Sequence, residues 1–98
     1  MNELNNILKK GVEMVELQPK KTKQKSYYNK AKIVFLNGIV TLYSYKTQVA
    51  SVKKGEVTLY NIDLYSVTTL KHIKDFLYQN NIFIASKKEL LNNFKIVK

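Results

Sequence analysis

The chain contains no cysteine, no arginine and no tryptophan, and it has a single histidine among its 98 residues. Without cysteine it cannot form a disulfide framework or a thiolate metal site, and one histidine is too few for the usual zinc sites. We therefore expect no metal and no cofactor. The missing arginine also weakens the case for base-specific readout of nucleic acid, because arginine is the usual reader of guanine edges and lysine acts as a mobile point charge.

Acidic residues are missing from the whole segment between Glu16 and Glu56, whereas lysines are frequent in it. The formal net charge of the chain is +10. The lysines of this segment are Lys20, Lys21, Lys23, Lys25, Lys30, Lys32, Lys46, Lys53 and Lys54. Such an unbalanced positive field favours polyanions as partners and predicts an association that weakens with salt.

Long apolar runs are absent as well, so the sequence predicts neither a membrane span nor a secretory signal. We expect a cytoplasmic protein with no membrane partner. The length allows one domain with one modest core. The predicted organisation of this single domain, residues 1–98, is an amphipathic helix over 1–17, a basic linker over 18–30, a sheet-plus-helix core over 31–80 and a C-terminal extension over 81–98.

The N-terminal helix is predicted from apolar residues at helical spacing, with Gly11 as its weak point. This helix either caps the sheet or docks a partner. Pro19 stops helix propagation and opens a lysine-rich run that leads to Tyr27 and Tyr28. Lysines beside aromatic rings are typical of proteins that bind single-stranded nucleic acid without sequence preference, although a solvated loop has the same composition.

The clearest local signal is Asn37-Gly38 between two β-like segments, residues 31–36 and 39–45. This dipeptide predicts a type I′ turn and fixes the register, with Leu36 opposite Ile39. One face then carries Ile33, Phe35, Val40 and Leu42, which we expect to face the core. The other carries Lys32, Val34, Thr41 and Tyr43. Two further strands are predicted over residues 48–53 and 57–60, with turns at 46–47 and 54–55.

The segment from residue 66 to residue 77 predicts a helix with Ser66 as its N-cap and Leu70, Ile73 and Leu77 as its apolar stripe. Its first turns carry groups that suit a phosphate: Ser66, Thr68, Thr69, Lys71 and His72. The same residues equally fit a well-capped structural helix. Helical spacing places His72 at the edge of the apolar stripe, and its simplest interpretation is packing on Phe76 with a hydrogen bond to Thr68 or to a backbone group of the sheet.

The C-terminal part predicts an edge strand or a linker over residues 82–85, and then a short helix from Ser86, which begins a capping box with Glu89. The expected fold class is therefore α+β. It consists of an antiparallel meander of about four strands with an N-terminal helix, a packing helix after the sheet and a short C-terminal helix.

Two motifs carry a resemblance to a known group of proteins. Residues 44–50 fit S-Y-x-T-x-V-A, and residues 65–77 fit Y-S-x-T-T-x-x-H-I-x-x-F-L. The chain thereby resembles a family of small uncharacterised proteins encoded by bacteriophages and mobile elements. The resemblance covers about a third of the chain and implies a phage accessory protein acting in a bacterial host cell. We expect Tyr45 and Thr47, near the strand turn, to meet the start of the helix.

Three functions are compatible with these patterns. The first is a non-enzymatic protein that binds DNA, RNA or a host nucleoprotein complex, for example as an anti-CRISPR inhibitor of bacterial defence. Its expected contacts are Lys20, Lys21, Lys23, Lys25, Tyr27, Tyr28, Lys30, Lys32, Lys53 and Lys54. The second is a nuclease or nucleotide hydrolase that uses His72. No second acid or base completes such a site, because helical spacing places Asp75 on the solvent side of the helix. The third is an adaptor that binds a protein through the N-terminal helix.

Overall fold

The fold is a mixed six-stranded sheet with two helices, in a computed structural model that describes residues 13–20, 26–28, 30–84 and 86–97. The elements in chain order are β1 (Glu13–Glu16), β2 (Ala31–Leu36), β3 (Ile39–Ser44), β4 (Thr47–Lys53), β5 (Glu56–Tyr60), α1 (Val67–Gln79), α2 (Lys87–Asn93) and β6 (Lys95–Val97). A 3-10 turn at Ile62–Leu64 precedes α1.

The strands lie in the order in which they occur in the chain, and all neighbours are antiparallel except β5 and β6, which are parallel. The register predicted for β2 and β3 is confirmed, with Leu36 opposite Ile39. Two-residue turns then lead from β3 to β4 and from β4 to β5. The four strands predicted from sequence are present at the centre of the sheet, with boundaries shifted by at most one residue.

The expected fold class was nevertheless wrong, because the sheet has six strands and is not a four-stranded meander. Residues 13–16, predicted as the end of a helix, form a strand that pairs with β2. Pairing with the β2 edge satisfies backbone groups that a helix would have satisfied internally, and the helical spacing of Val12 and Val15 does not report this distant partner. Residues 1–12, the rest of the predicted helix, lie outside the described residues.

The C-terminal region also differs from the prediction. Residues 82–84 form no strand, whereas Lys95–Val97 adds β6 to the edge of the sheet, with Ile96 opposite Leu59. Leu90 and Ile84 are buried in the main core. Ile84, Leu90 and Ile96 therefore contribute to the same core as the central strands and α1.

Both helices cover the same face of the sheet, where they enclose the main core. Buried members of this core are Leu42, Ala50, Val52, Val57, Leu59, Ile73, Phe76, Leu77 and Leu90. Ile33 and Val40 pack against it as predicted, but Phe35, at the end of β2, is 44% exposed. On the opposite face, Val34 and Tyr43 are buried and Met14 packs against them. Among the described residues no helix has the length and hydropathy of a membrane span.

Candidate functional site

A cluster of buried polar side chains joins α1 to the end of β3. The Ser44 hydroxyl lies 3.0 Å from Thr69 Oγ1 and 2.9 Å from His72 Nδ1. Thr69 and His72 are three residues apart and therefore project from the same side of the helix. The two sequence motifs thus meet in space through these three side chains, and Tyr45 also reaches His72, with ring centroids 5.9 Å apart. The predicted meeting of the motifs is confirmed for Tyr45.

The helix start is held by contacts within the chain. Ser66 Oγ accepts a hydrogen bond from the Thr69 backbone N–H at 3.0 Å, which confirms Ser66 as the N-cap, and its hydroxyl donates to Thr69 Oγ1 at 3.1 Å. The Tyr65 hydroxyl donates to the Val49 carbonyl at 2.6 Å, and burial raises the pKa of this hydroxyl. These bonds fix the orientation of α1 over the sheet.

His72 is 0% exposed and lies at the centre of the buried side of α1, although the apolar stripe predicted from sequence placed it at the edge. Its ring meets the edge of Tyr27 at 4.6 Å between centroids, and Nε2 has no hydrogen-bond partner. Burial lowers the pKa of His72 to about 4, and the charges of Lys71 and Lys30 lower it further against the opposing effect of Asp75. The imidazole is therefore neutral at pH 7.

Asp75 fastens the segment before β2 to the helix. Its carboxylate accepts hydrogen bonds from the Lys20 backbone N–H at 2.9 and 3.1 Å, from the Tyr27 hydroxyl at 2.7 Å and from Gln79 Nε2 at 2.8 Å. The helical spacing placed Asp75 on the solvent side, which was wrong because the segment that covers it comes from about 50 residues earlier in the chain. No local signal in the sequence reports this contact.

One end of the sheet gathers cations and exposed rings, and we call it the cationic end. Its members are Lys20, Tyr28, Lys30, Tyr45, Lys46 and Lys71. The Tyr45 N–H donates to the Lys30 carbonyl at 2.8 Å, and Lys30 Nζ lies 5.9 Å from the centroid of the Tyr45 ring. Tyr28 and Tyr45 are 69% and 48% exposed. Asp75 is buried and Glu16 accepts from the Ser26 hydroxyl, whereas Asp63 is exposed in the 3-10 turn after β5, at the same end of the sheet.

The structure brings together only part of the predicted nucleic-acid contacts. Tyr27 is buried and bonded to Asp75, so its ring is not a stacking surface. Lys53 and Lys54 lie at the opposite end of β4 from Lys46, and seven strand residues span about 20 Å. Lys32 is half-buried on the sheet face of Tyr43. Lys21, Lys23 and Lys25 lie outside the described residues.

The residues predicted to bind a phosphate are also only partly accessible. Thr69 and His72 are buried and bonded to Ser44, whereas Thr68 and Lys71 are exposed. His72 Nδ1 is bonded to the Ser44 hydroxyl and not to Thr68 or a backbone group of the sheet, and its ring also contacts Tyr27. Sequence reasoning missed Ser44 as a site residue, although its place in the first motif was a signal for it. It also left Tyr45 and Lys46 out of the predicted contacts.

The pairing of a hydroxyl with an imidazole is the arrangement that serine hydrolases use, but here both groups are inside the protein. Ser44 is 2% exposed, and His72 is fully covered. A substrate phosphate or carbonyl cannot approach them in this conformation. Within the described part of the chain, no three His, Asp or Glu side chains come together as a group that could hold a metal ion.

The fold and these contacts define a small α+β protein with a hydroxyl–imidazole cluster under its first helix and a cationic end beside it. The chain belongs to a family of unknown function, DUF8033, whose model matches residues 15–92. This match spans β1 to α2 and includes the whole cluster. No curated protein and no solved structure is detectably similar to the chain.

Proposed function

We propose that this protein is a non-enzymatic binding protein that holds nucleic acid, free or within a host nucleoprotein complex, at its cationic end. The observation that carries the proposal is the exposed pair of rings, Tyr28 and Tyr45, next to the exposed Lys30. Lysine charges supply the salt-sensitive attraction to phosphates, and exposed rings supply faces for bases.

The resemblance of the two motifs to phage and mobile-element proteins supports a narrower version of this proposal. In that version the protein acts in a bacterial cell and inhibits a defence complex that carries RNA or DNA, as anti-CRISPR proteins do. A basic protein of this kind would occupy the nucleic acid or its channel. The charge of +10 argues against a mimic of DNA, which would be acidic.

The contacts of His72 favour this binding role over the hydrolase hypothesis. Its Nδ1 is used by Ser44 and its ring is covered by Tyr27, so the histidine serves to position α1. The adaptor hypothesis depends on the N-terminal helix predicted over residues 1–17, of which residues 13–16 form β1 and residues 1–12 lie outside the described residues.

The first test is the salt dependence of binding to a fluorescent single-stranded oligonucleotide, measured by anisotropy. If the four lysines of the cationic end neutralise phosphates, the slope of log affinity against log salt is roughly −3, and affinity falls roughly 50-fold between about 50 and 200 mM salt. Replacing Lys30, Lys46 and Lys71 by Gln should make the slope shallower by about 2.

The matched control replaces Lys53, Lys54 and Lys95 by Gln. It removes the same charge away from the cationic end: Lys53 and Lys54 lie at the opposite end of β4, and Lys95 lies opposite Thr58, midway along β5. All three side chains are exposed. The control protein should keep most of the wild-type affinity and slope. Equal losses in the two triple variants would contradict a localised site, and a flat salt response of the wild-type protein would contradict the proposed function itself.

A further inference from the structure

The three two-residue hairpin turns of the central sheet have similar positive φ angles but different residues. The Asn37-Gly38 turn has φ angles of 52° and 78°, and the Lys54-Gly55 turn has 51° and 80°. The Tyr45-Lys46 turn has 51° and 68°, yet it contains neither asparagine nor glycine. Residues with a Cβ atom, other than asparagine, are disfavoured in this left-handed region. The Tyr45-Lys46 turn therefore contains two strained residues, the Lys54-Gly55 turn contains one, and the Asn37-Gly38 turn contains none.

The strained turn places one aromatic ring at the surface. Ser44 and Thr47 pair on either side of the turn, and the Tyr45 N–H donates to the Lys30 carbonyl, so the backbone under the ring is fixed. The ring itself is half-exposed between Lys30 and His72. Left-handed tyrosine and lysine persist where the surroundings impose them, and such outliers concentrate at binding sites.

A second exposed ring is held in the same way. Tyr28 also has a positive φ, 52°, and its N–H donates to Ser26 Oγ at 2.9 Å. The Lys30 N–H donates to the Tyr27 carbonyl at 2.9 Å, which closes a turn around Tyr28. Two exposed tyrosines in left-handed turns therefore lie on either side of Lys30, one two residues before it in the chain and the other joined to it by a backbone hydrogen bond.

From this arrangement we infer that the ligand of the cationic end is single-stranded nucleic acid, whose unpaired bases stack on Tyr28 and Tyr45 while the lysines contact its phosphates. This inference rests on the proposed function and narrows it. The faces of bases in a duplex are covered by neighbouring bases, so exposed rings of this kind can stack only on the unpaired bases of single strands. Stacking accepts every base, which agrees with a chain that has no arginine to read base edges.

The experiment compares three labelled probes of about 20 nucleotides, an oligothymidylate, an oligouridylate and a mixed-sequence DNA duplex, with the full-length protein. Single strands should bind at least tenfold more tightly than the duplex. The double variant Tyr28→Leu with Tyr45→Leu keeps every charge, so single-strand affinity should fall by roughly tenfold or more for each ring while duplex affinity stays within about twofold. Because the chain has no tryptophan, quenching of tyrosine fluorescence by the strand reports stacking directly.

A second variant, which is expected to be more stable than the wild-type protein, tests binding without a loss of folding. Tyr45→Asn with Lys46→Gly gives the turn its preferred residues, so its Tm should rise by roughly 4–8 °C while single-strand binding weakens. Lys54→Asn relieves the equivalent turn at the opposite end and should raise Tm without changing affinity. Phe35→Leu is the matched control for the tyrosines, because Phe35 is 44% exposed at that opposite end.

The outcomes separate the inference from the proposed function. A preference for either single strand over the duplex that disappears in the double tyrosine variant supports the inference and the proposed function. If one single strand binds more tightly than the other, that difference shows whether DNA or RNA is preferred. Equal binding of single strands and duplex, with equal loss in the triple lysine variant, overturns the inference and leaves the proposed function standing. Absence of salt-dependent binding to all three probes overturns both. A stabilised Asn-Gly variant with unchanged single-strand affinity also overturns the inference.

Discussion

At the level of single residues, the contacts of His72 couple the stability of the fold to pH. The imidazolium would lie without a solvent shell beside the charges of Lys71 and Lys30, and the single carboxylate that favours it, Asp75, is already bonded to three donors. Ser44 and Tyr27 cover the rest of the ring and carry no charge at neutral pH. Protonation of His72 therefore opposes folding.

We predict that the free energy of unfolding decreases as the pH falls from about 6.5 to 4. The pKa of His72 is about 4 in the folded protein and 6.5 in an ordinary environment, so the unfolded chain binds more protons in this window and stability rises with pH across it. The change due to His72 is about 2–3 kcal/mol, since solvent screens the exposed lysines. Urea denaturation at a series of pH values measures it.

His72→Gln is the comparison protein for this pH series, because an amide can still bond Ser44 and does not titrate. Its stability at pH 7 is expected to be lower than that of the wild-type protein, and its pH dependence between 4 and 6.5 should be flatter. Parallel curves for the two proteins would show that other groups cause the pH dependence.

Secondary-structure elements differ in how much of their contact pattern is local. The turn and the register of the β2–β3 hairpin could be predicted because Asn37-Gly38 contains the information for both. The caps of α1 and α2 could be predicted for the same reason, since Ser66 and Ser86 bond groups three residues away. Signals of this kind need no knowledge of the rest of the fold.

The elements that sequence reasoning missed depend on partners far along the chain. β1 is a strand because β2 offers it an edge, and β6 is too short at three residues to show any alternation of its own. The burial of Tyr27 and Asp75 has the same origin, because each covers the other across 48 residues. A helical projection shows which residues share a side of α1 but not which segment packs against that side.

For α1 as an element, we predict that Ser66→Ala destabilises the protein by about 1 kcal/mol. The substitution leaves the Thr69 N–H without its cap and removes the bond to Thr69 Oγ1. Thermal or urea unfolding measures the loss. Thr68→Ala is the control, because Thr68 is exposed in the same turn and alanine is the better helix former, so no loss is expected. A loss as large as that of Ser66→Ala would contradict capping as the cause.

In the whole molecule, the mixed sheet depends on a strand that returns from a distance. β6 pairs with β5 only after the chain has passed through both helices, and Ile96, opposite Leu59, packs on the main core from there. The helices lie on one face of the sheet, so their packing and the docking of β6 bury the same apolar residues. The sheet edge and the core are therefore stabilised together.

We predict that Ile96→Ala destabilises the whole protein by about 2 kcal/mol in a single cooperative transition, as expected for loss of a partly buried aliphatic side chain. Circular dichroism and tyrosine fluorescence should give coincident unfolding curves. Val97→Ala, at an exposed position of the same strand, is expected to change stability by less than about 0.5 kcal/mol. Separate transitions for the two probes would contradict the coupling of β6 to the core.

Because β6 pairs late, the folding chain passes through a stage in which it can aggregate. Hairpins that close through two-residue turns form within microseconds, whereas β6 must wait for a loop of more than 30 residues to close. Until it docks, the outer edge of β5 is an open template on which another copy of the chain can add a strand. Refolding at high protein concentration should therefore favour intermolecular β-sheet over the monomer, and crowding in a dense cell would act in the same direction.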